Sequence, residues 1–235
     1  TSAPDVSIVS ATGTSVRVTW TNNNPGSVYE LSASTGSNGA YGAIWSGLYP
    51  ANVDHNGLSA NTTYYYKLRV KNIDEVWSAY GNENSTHTLA AVPGAITIGT
   101  VADNSIQVSW ADTNSAGTVY SVEAKVEGGA YAEIYSGNYT ASVPHSSLSA
   151  NVTYYYQVRA RNFDGVWTTY NTARSTHTLA VVPVSASFTS VSSFTITANW
   201  TNGGNSGSTL YYVEGSSSSA SGPFTINSGW TAANS

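Results

Sequence analysis

Four histidines are the side chains best suited to acid–base chemistry in this sequence. His55, His87, His145 and His177 fall at equivalent positions of two similar stretches of chain. A catalytic centre brings its residues together once, so this duplication indicates a role in the scaffold. No histidine has a serine partner in the setting that an activated nucleophile requires, and the carboxylates are scattered. We therefore expect no catalytic residue and no enzymatic activity.

Composition excludes several other kinds of site. The 235-residue chain has no cysteine, which excludes disulfides, thiol nucleophiles and thiolate zinc sites. A formal net charge of −5 with only 8 cationic side chains argues against nucleic-acid binding. No apolar run is long enough to cross a bilayer, and no carboxylate cluster suited to calcium lies between the repeats described below. We expect no metal, no cofactor, no nucleic-acid partner and no membrane insertion in this segment.

Most of the cationic side chains lie on two predicted strand faces. Residues 64–71 and 154–161 alternate apolar with polar or cationic side chains, so the cations should point outward. Each strand is followed by Val-Trp-x-x-Tyr. A cation over an exposed indole face contributes about 0.5–1 kcal/mol; we predict such stacking, with ligand binding by the same cations as the alternative. The residues are Lys67, Arg69, Lys71, Trp77, Tyr80, Arg159, Arg161, Trp167 and Tyr170.

A row of aromatic residues could contact a sugar or another protein. Ile44 and Ile134 are predicted to face the core, which would turn Trp45 and Tyr135 toward solvent. Exposed aromatic residues in a row can serve as a stacking platform or a protein contact; packing over the sheet edge is the alternative. The row comprises Tyr41, Trp45, Tyr49, Tyr131, Tyr135 and Tyr139.

Period-two alternation predicts the elements that carry these side chains. Val16, Val18 and Trp20 alternate with polar residues, as is typical of a strand with one buried face. Turn-forming Asn, Gly and Ser separate such stretches, and no window has helical periodicity. Several short strands in each repeat predict an all-β chain of antiparallel β-sandwiches.

The sequence repeats at an interval of about 90 residues. Trp20, Trp110 and Trp200 mark three copies, and identical STHTLA segments close the first two. The third copy contains only the part that would form the first strands of a sandwich. We predict two complete units and the N-terminal part of a third, at residues 1–91, 92–181 and 182–235.

Each complete unit resembles a fibronectin type III domain. The resemblance rests on a Trp that closes the second strand, a Tyr in the third, and a corner in which Leu58 is followed by Thr62 and Tyr64. The second unit has Val152 at the Thr position. The resemblance implies an immunoglobulin-like sandwich in which the Tyr64 and Tyr154 hydroxyls bind backbone upstream, forming a tyrosine corner. Its core signature comprises Trp20, Leu58, Tyr64, Trp110, Leu148, Tyr154 and Trp200.

The Leu-Ala-x-Val-Pro stretches between units resemble those of long tandem arrays in bacterial surface proteins. This resemblance implies a non-enzymatic structural or adhesive segment of an extracellular or cell-surface protein. Pro93 and Pro183 restrict bending, which favours a semi-rigid rod. Open sheet edges in the third unit could pair with another chain and build a filament or sheath. The alternative is a carbohydrate- or protein-binding accessory module of a secreted polysaccharide-degrading enzyme, so the partners would be protein chains or glycans.

Asn-x-Ser/Thr sequons could accept glycans in a secreted protein. One of them, at Asn199, lies inside a predicted strand and is the least suited. The candidate acceptors are Asn61, Asn84, Asn138 and Asn151.

Overall fold

The computed structural model describes residues 2–217 and 220–232, and these residues form strands and no helix. None of them therefore lies in a helix long and apolar enough to cross a membrane. The strands are β1 (Val6–Ala11), β2 (Ser15–Trp20), β3 (Val28–Ser34), β4 (Gly42–Leu48), β5 (Val53–Asn56), β6 (Thr63–Val70), β7 (Asn84–His87), β8 (Thr97–Val101), β9 (Ser105–Ser109), β10 (Val119–Val126), β11 (Ala132–Asn138), β12 (Val143–Ser146), β13 (Thr153–Arg161), β14 (Arg174–His177), β15 (Val184–Thr189), β16 (Thr197–Thr201), β17 (Leu210–Gly215) and β18 (Ile226–Ala232).

Each of the first two repeats forms a sandwich of one three-stranded and one four-stranded sheet. The strand orders are β1-β2-β5 and β4-β3-β6-β7 in the first repeat. They are β8-β9-β12 and β11-β10-β13-β14 in the second. The pairings are antiparallel, which confirms the predicted fold class.

The alternation of the sequence places one face of each inner strand in a core. Along β6 half-buried and buried residues alternate without interruption. Trp20 and Trp110 are each only 3% exposed, and their rings lie 5.7 and 5.4 Å from those of Tyr29 and Tyr120. Each repeat thus has its own aromatic core.

A tyrosine corner closes each sandwich, as the resemblance implies. The Tyr64 hydroxyl accepts a hydrogen bond of 3.0 Å from the backbone nitrogen of Ser59. The Tyr154 hydroxyl accepts the equivalent bond, also 3.0 Å, from Ser149. These bonds tie the loop before β6 or β13 to the strand itself and hold the corner in a fixed shape.

The third repeat is an open half-sandwich of two hairpins. Strand β15 pairs with β16, and β17 pairs with β18. Trp200 is half-buried, with its ring 6.0 Å from that of Tyr211. Ile196 and Trp230 are 65% and 72% exposed, because the described chain supplies no strand to cover them.

A β-bulge in β4 overturns the predicted orientation of Trp45. Leu31 pairs with Trp45 and Ser32 pairs with Ala43, so Ile44 is the extra residue. Residues paired across two strands share a face of the sheet, and Leu31 is fully buried. Trp45 therefore lies on the core side, half-buried and 5.6 Å from the Trp20 ring. The prediction that Trp45 faces solvent is wrong because a bulge breaks the period-two alternation.

The same bulge recurs in the second repeat. Val122 pairs with Tyr135 and Glu123 with Glu133, which leaves Ile134 as the extra residue. Tyr135 is half-buried and packs against the second core. The prediction that Tyr135 faces solvent is wrong for the same reason.

Candidate functional site: the junctions between repeats

Two surfaces meet where one repeat follows another. One surface is the corner before the long central strand of a repeat, together with the end of its last strand, and we call it the corner pole. In the first repeat the corner pole comprises residues 60–62 and His87. We call the loop pole the two loops at the opposite end of a repeat. In the second repeat the loop pole comprises residues 112–118 and 162–166.

Asn61 is fixed at the tip of the first corner pole. Its backbone has a φ of 46°, in the left-handed region that Asn tolerates better than most residues. Its backbone nitrogen donates to the Leu89 carbonyl at 3.1 Å. Asn61 is fully buried, although a polar residue at the end of a single sandwich would normally be exposed.

The Asn61 side chain is buried because it bridges both loops of the next repeat. Its Nδ2 donates to Thr118 Oγ1 at 2.7 Å, and its Oδ1 accepts from the Phe163 backbone nitrogen at 2.8 Å. The Thr118 hydroxyl donates its single hydrogen to the Ser115 carbonyl at 2.6 Å. Thr118 must therefore accept from Asn61, which fixes the orientation of the amide.

Further contacts surround this bridge. Ser115 Oγ lies 2.6 Å from Thr62 Oγ1 and donates to the Ala60 carbonyl at 3.0 Å. His87 Nδ1 lies 2.7 Å from Asp164 Oδ1. The His87 ring also packs edge-on against Phe163, with 5.5 Å between ring centroids. The junction therefore combines a buried amide, a hydroxyl pair, a histidine–carboxylate contact and an aromatic contact.

The linker between the repeats is held by a second asparagine. Asn114 Oδ1 accepts from the Ala91 backbone nitrogen at 2.7 Å, and Asn114 Nδ2 donates to the Ala91 carbonyl at 3.0 Å. Asn205 makes the same pair of bonds to Val181 at the next linker, both 2.7 Å. Both linkers are thus fastened to the loop pole that they enter.

The second junction repeats the asparagine–threonine bond of the first and has a serine contact of its own. Asn151, with a φ of 54°, donates from Nδ2 to Thr209 Oγ1 at 2.7 Å. Ser206 Oγ donates to the Asn151 carbonyl at 2.8 Å. The described part of the third repeat has no counterpart of Phe163 and Asp164, and His177 is accordingly exposed.

These contacts change the interpretation of two sequons. The nitrogen that would carry a glycan on Asn61 or Asn151 is the donor that closes a junction. The prediction that these residues accept glycans is wrong for the closed junctions, since a glycan would displace the next repeat. Asn84 and Asn138 are exposed, and their modification stays a prediction.

The predicted cation–aromatic contacts lie on the outer face of the four-stranded sheets. In the first repeat Arg69 Cζ lies 4.7 Å from the Trp77 ring and 5.1 Å from the Tyr80 ring, and Lys71 Nζ lies 5.4 Å from Trp77. Arg69 Nε also donates to Glu30 at 2.8 Å. The cations therefore have partners within their own sheet.

The second repeat has the same arrangement. Arg159 lies 4.5 Å from the Trp167 ring and 4.7 Å from the Tyr170 ring, and Arg161 lies 5.2 Å from Trp167. The Tyr170 hydroxyl donates to Glu123. Burial and this carboxylate raise the pKa of Tyr170 to about 12.

Lys67 belongs to a separate cluster at the edge of the sheet. Its Nζ lies 4.6 Å from the Tyr41 ring centroid and 3.5 Å from Glu83. Tyr41 and Ser37 both donate hydrogen bonds to Glu83. These bonds, with that of Tyr41 the largest cause, lower the pKa of Glu83 to about 2. In the second repeat Lys125 lies 5.0 Å from the Tyr131 ring.

The remaining aromatic residues of the predicted row pack on the cores. Tyr49 contacts Trp20 edge-on at 5.8 Å, and Tyr139 contacts Trp110 in the same way at 5.7 Å. The Tyr139 hydroxyl donates to the Trp110 carbonyl at 3.2 Å. Four members of the row therefore pack on the two cores, whereas Tyr41 and Tyr131 lie beside Lys67 and Lys125, so the row does not form one exposed platform.

The other two histidines also have structural contacts. His55 Nδ1 lies 3.2 Å from the Tyr66 hydroxyl, and His145 Nδ1 lies 3.2 Å from that of Tyr156. Burial lowers the pKa of both histidines. Within residues 2–217 and 220–232, no three His, Asp or Glu side chains are grouped so that they could hold a metal ion.

The junction was not predicted from the sequence, although its residues left a signal. Asn61 and Asn151 recur in matching corners, and Asn114 and Asn205 recur in matching loops. The first pair also lies in sequons, a pattern that indicates candidate glycan acceptors. Polar residues that recur at both ends of a repeat are the signal in the sequence that indicates contacts between a corner pole and a loop pole.

Comparisons with known proteins agree with the fold. A two-domain fibronectin type III segment of chicken tenascin aligns with 76% of this chain and 100% of its own, at 16% identity and a TM-score of 0.51. The FN1–FN3 domains of chicken CNTN1 align over 76% of this chain and 67% of their own, at 14% identity; a TM-score of 0.34 carries no argument. No protein-family model and no curated protein matches. At these identities the likeness shows the fold alone.

Proposed function

We propose that this chain, which has the fold of tandem fibronectin type III domains, is a non-enzymatic structural segment of an extracellular or cell-surface protein. It acts as a semi-rigid rod that holds the elements at its two ends a set distance apart. The observation that carries this proposal is the recurrence of one junction. The Asn61–Thr118 and Asn151–Thr209 bonds have the same chemistry and the same length, 2.7 Å.

A repeated polar junction favours a rod over freely jointed domains. Flexible linkers between domains make few contacts with their neighbours and permit a wide range of angles. Here each linker is bound by an Asn side chain and each corner is inserted against the next loop pole. The extracellular location rests on the resemblance to bacterial surface arrays.

Pulsed electron paramagnetic resonance tests the rod directly. The chain has no cysteine, so Ser7→Cys and Ser136→Cys place one spin label on each of the first two repeats. Ser7→Cys with Ser46→Cys, the counterpart of Ser136 in the first repeat, gives a reference pair within one repeat. We expect the inter-repeat distance distribution to be about as narrow as the reference. A broad inter-repeat distribution beside a narrow reference would refute the rod.

The alternative of a carbohydrate-binding module loses its main support. It depended on Trp45 and Tyr135 as exposed aromatic residues, and both pack on the cores.

Self-association through the third repeat is a second candidate function, favoured by its open half-sandwich. Phe224, Ile226 and Trp230 are 49%, 63% and 72% exposed. A strand from another chain would cover such a surface and satisfy a free sheet edge. Sedimentation velocity over a range of concentrations tests it: Trp230→Ser should reduce association, and a chain that stays monomeric at high concentration rules it out.

A further inference from the structure

The loop pole of the first repeat is built like the loop pole that docks at the internal junction. We infer that it is a docking surface for the corner pole of another unit of this repeat placed ahead of it in the same chain. This inference rests on the proposed rod function and extends it, because it assigns a partner to a surface that has none among the described residues. The surface comprises Ser27, Ile73 and Asp74.

The long loop of this pole already has the docked shape. Asn72 Oδ1 accepts from the Val76 nitrogen at 2.8 Å, and the Asn72 nitrogen donates to the Val76 carbonyl at 2.9 Å. The second repeat makes the same two bonds between Asn162 and Val166, at 2.8 and 3.0 Å. Ile73 and Asp74 therefore hold the positions that Phe163 and Asp164 hold at the internal junction.

The short loop has one residue fewer than its counterpart in the second repeat, but it ends in the same turn. The Ser27 nitrogen donates to the Asn24 carbonyl at 3.1 Å, as the Thr118 nitrogen donates to that of Ser115 at 3.2 Å. The preceding glycines have φ of 81° and 88°. Ser27 thus offers a hydroxyl where Thr118 accepts the Asn61 amide. Both loops are held in this geometry without a partner, which lowers the entropic cost of docking.

Ile73 lacks two contacts that Phe163 makes at the internal junction. Ile73 is 96% exposed, whereas Phe163, covered by His87, is 45% exposed. Val76 and Val166, at the other end of the same loops, differ much less, at 60% and 51%. The Phe163 nitrogen donates to Asn61, while the Ile73 nitrogen has no hydrogen-bond acceptor in the described chain. A corner pole with its Asn amide and His ring would supply both missing contacts.

The entering chain also follows the linker path. In this shorter loop Asn24 also takes the place of Asn114. Its Nδ2 donates to the Ser2 carbonyl at 3.4 Å, as Asn114 and Asn205 donate to Ala91 and Val181. Ser2 therefore occupies the place of Ala91. A unit joined at this point would have its corner pole above the exposed loop pole.

The test adds one repeat to the full chain. A copy of residues 1–90 is joined directly to Ser2, and amide hydrogen exchange is measured by nuclear magnetic resonance in the original and extended chains. We expect exchange of the Ile73 amide to slow by about tenfold or more, as for an amide whose protection requires a local opening. Asn61→Gly in the added copy should restore fast exchange. The Val76 amide, bonded within its own loop, is the matched control and should not change.

Two outcomes would overturn the inference, and they differ in what else they exclude. If the Ile73 amide exchanges equally fast in both chains while the Phe163 amide stays protected, the internal junction is closed and only the new docking surface is refuted. If the Phe163 amide is itself unprotected in the original chain, the internal junction is open. The rod function and the inference then fail together.

Discussion

Removing the Asn61 side chain should open the first junction without unfolding either repeat. The suitable substitution is Asn61→Gly, because the φ of 46° at this position would add backbone strain to Ala but not to Gly. The side chain makes two hydrogen bonds in a fully buried setting. The bond to Thr118 contributes about 0.5–1.5 kcal/mol net, and leaving the Phe163 N–H without its acceptor costs about 1–3 kcal/mol. The junction should therefore be weakened by about 2–4 kcal/mol.

The backbone amide of Phe163 is the most direct reporter, because its acceptor is Asn61 Oδ1. Since about 1.4 kcal/mol corresponds to a tenfold change in an equilibrium, its hydrogen exchange should accelerate by roughly 30- to 700-fold. Asn151→Gly removes the equivalent side chain at the second junction and should leave the Phe163 amide unchanged. Asn61→Asp keeps an acceptor for Phe163 but sets a carboxylate against the Thr118 oxygen, so it should weaken the junction at least as much. An acceleration below about threefold, or an equal effect of Asn151→Gly, would refute this account of the junction.

Three further predictions concern single repeats. The pKa of Glu83 is lowered to about 2, against a usual 4.5. The contribution of Glu83 to stability is therefore fully present above pH 4.5 and is lost as the pH falls toward 2. Glu83→Gln should flatten the acid limb of the unfolding free energy, measured by urea unfolding at several pH values. Tyr64→Phe leaves the Ser59 nitrogen without its acceptor and should cost about 1–3 kcal/mol in the same assay, with an unchanged midpoint arguing against the corner. Trp45→Ala should destabilise the first repeat by about 2 kcal/mol, because the Trp45 ring packs on Trp20. The loss is smaller than for a fully buried Trp, since Trp45 is half-buried. A loss of stability below about 0.5 kcal/mol would indicate instead that Trp45 is an exposed contact residue.

The sequence predicted those features that depend on alternation within one strand. The burial of Trp20 and Trp110 and the outward position of Arg69 and Arg159 follow from a side-chain period of two. The contacts of these arginines with Trp77 and Trp167 follow too, because a short turn returns the chain beside the end of the same strand, where Trp77 pairs with Lys71 and Trp167 with Arg161. The sandwich fold itself follows from the spacing of strands and turns.

Alternation failed where one strand of a pair carries an extra residue that has no partner across the pair. The bulge at Ile44 is a property of the pairing of β3 with β4, and nothing within either strand specifies it. One extra residue moves every later side chain to the opposite face. Trp45 and Tyr135 consequently lie on the core side, although counting from the neighbouring isoleucines predicts the solvent side.

The sequence by itself determined the repeat, the strands and the core of each unit, because these depend on local periodicity and on residues of one sandwich. Only the tertiary structure decided how the units meet. Asn61 is a sequon in the sequence and a buried bridge in the fold, and its acceptor Thr118 and donor Phe163 come from two distant loops. The angle between two folded repeats decides which loops face a corner. That angle is set by the contacts between the corner pole and the loop pole. No pattern along one strand carries this information, so the junction could be recognised only after both units and their linker were placed in space.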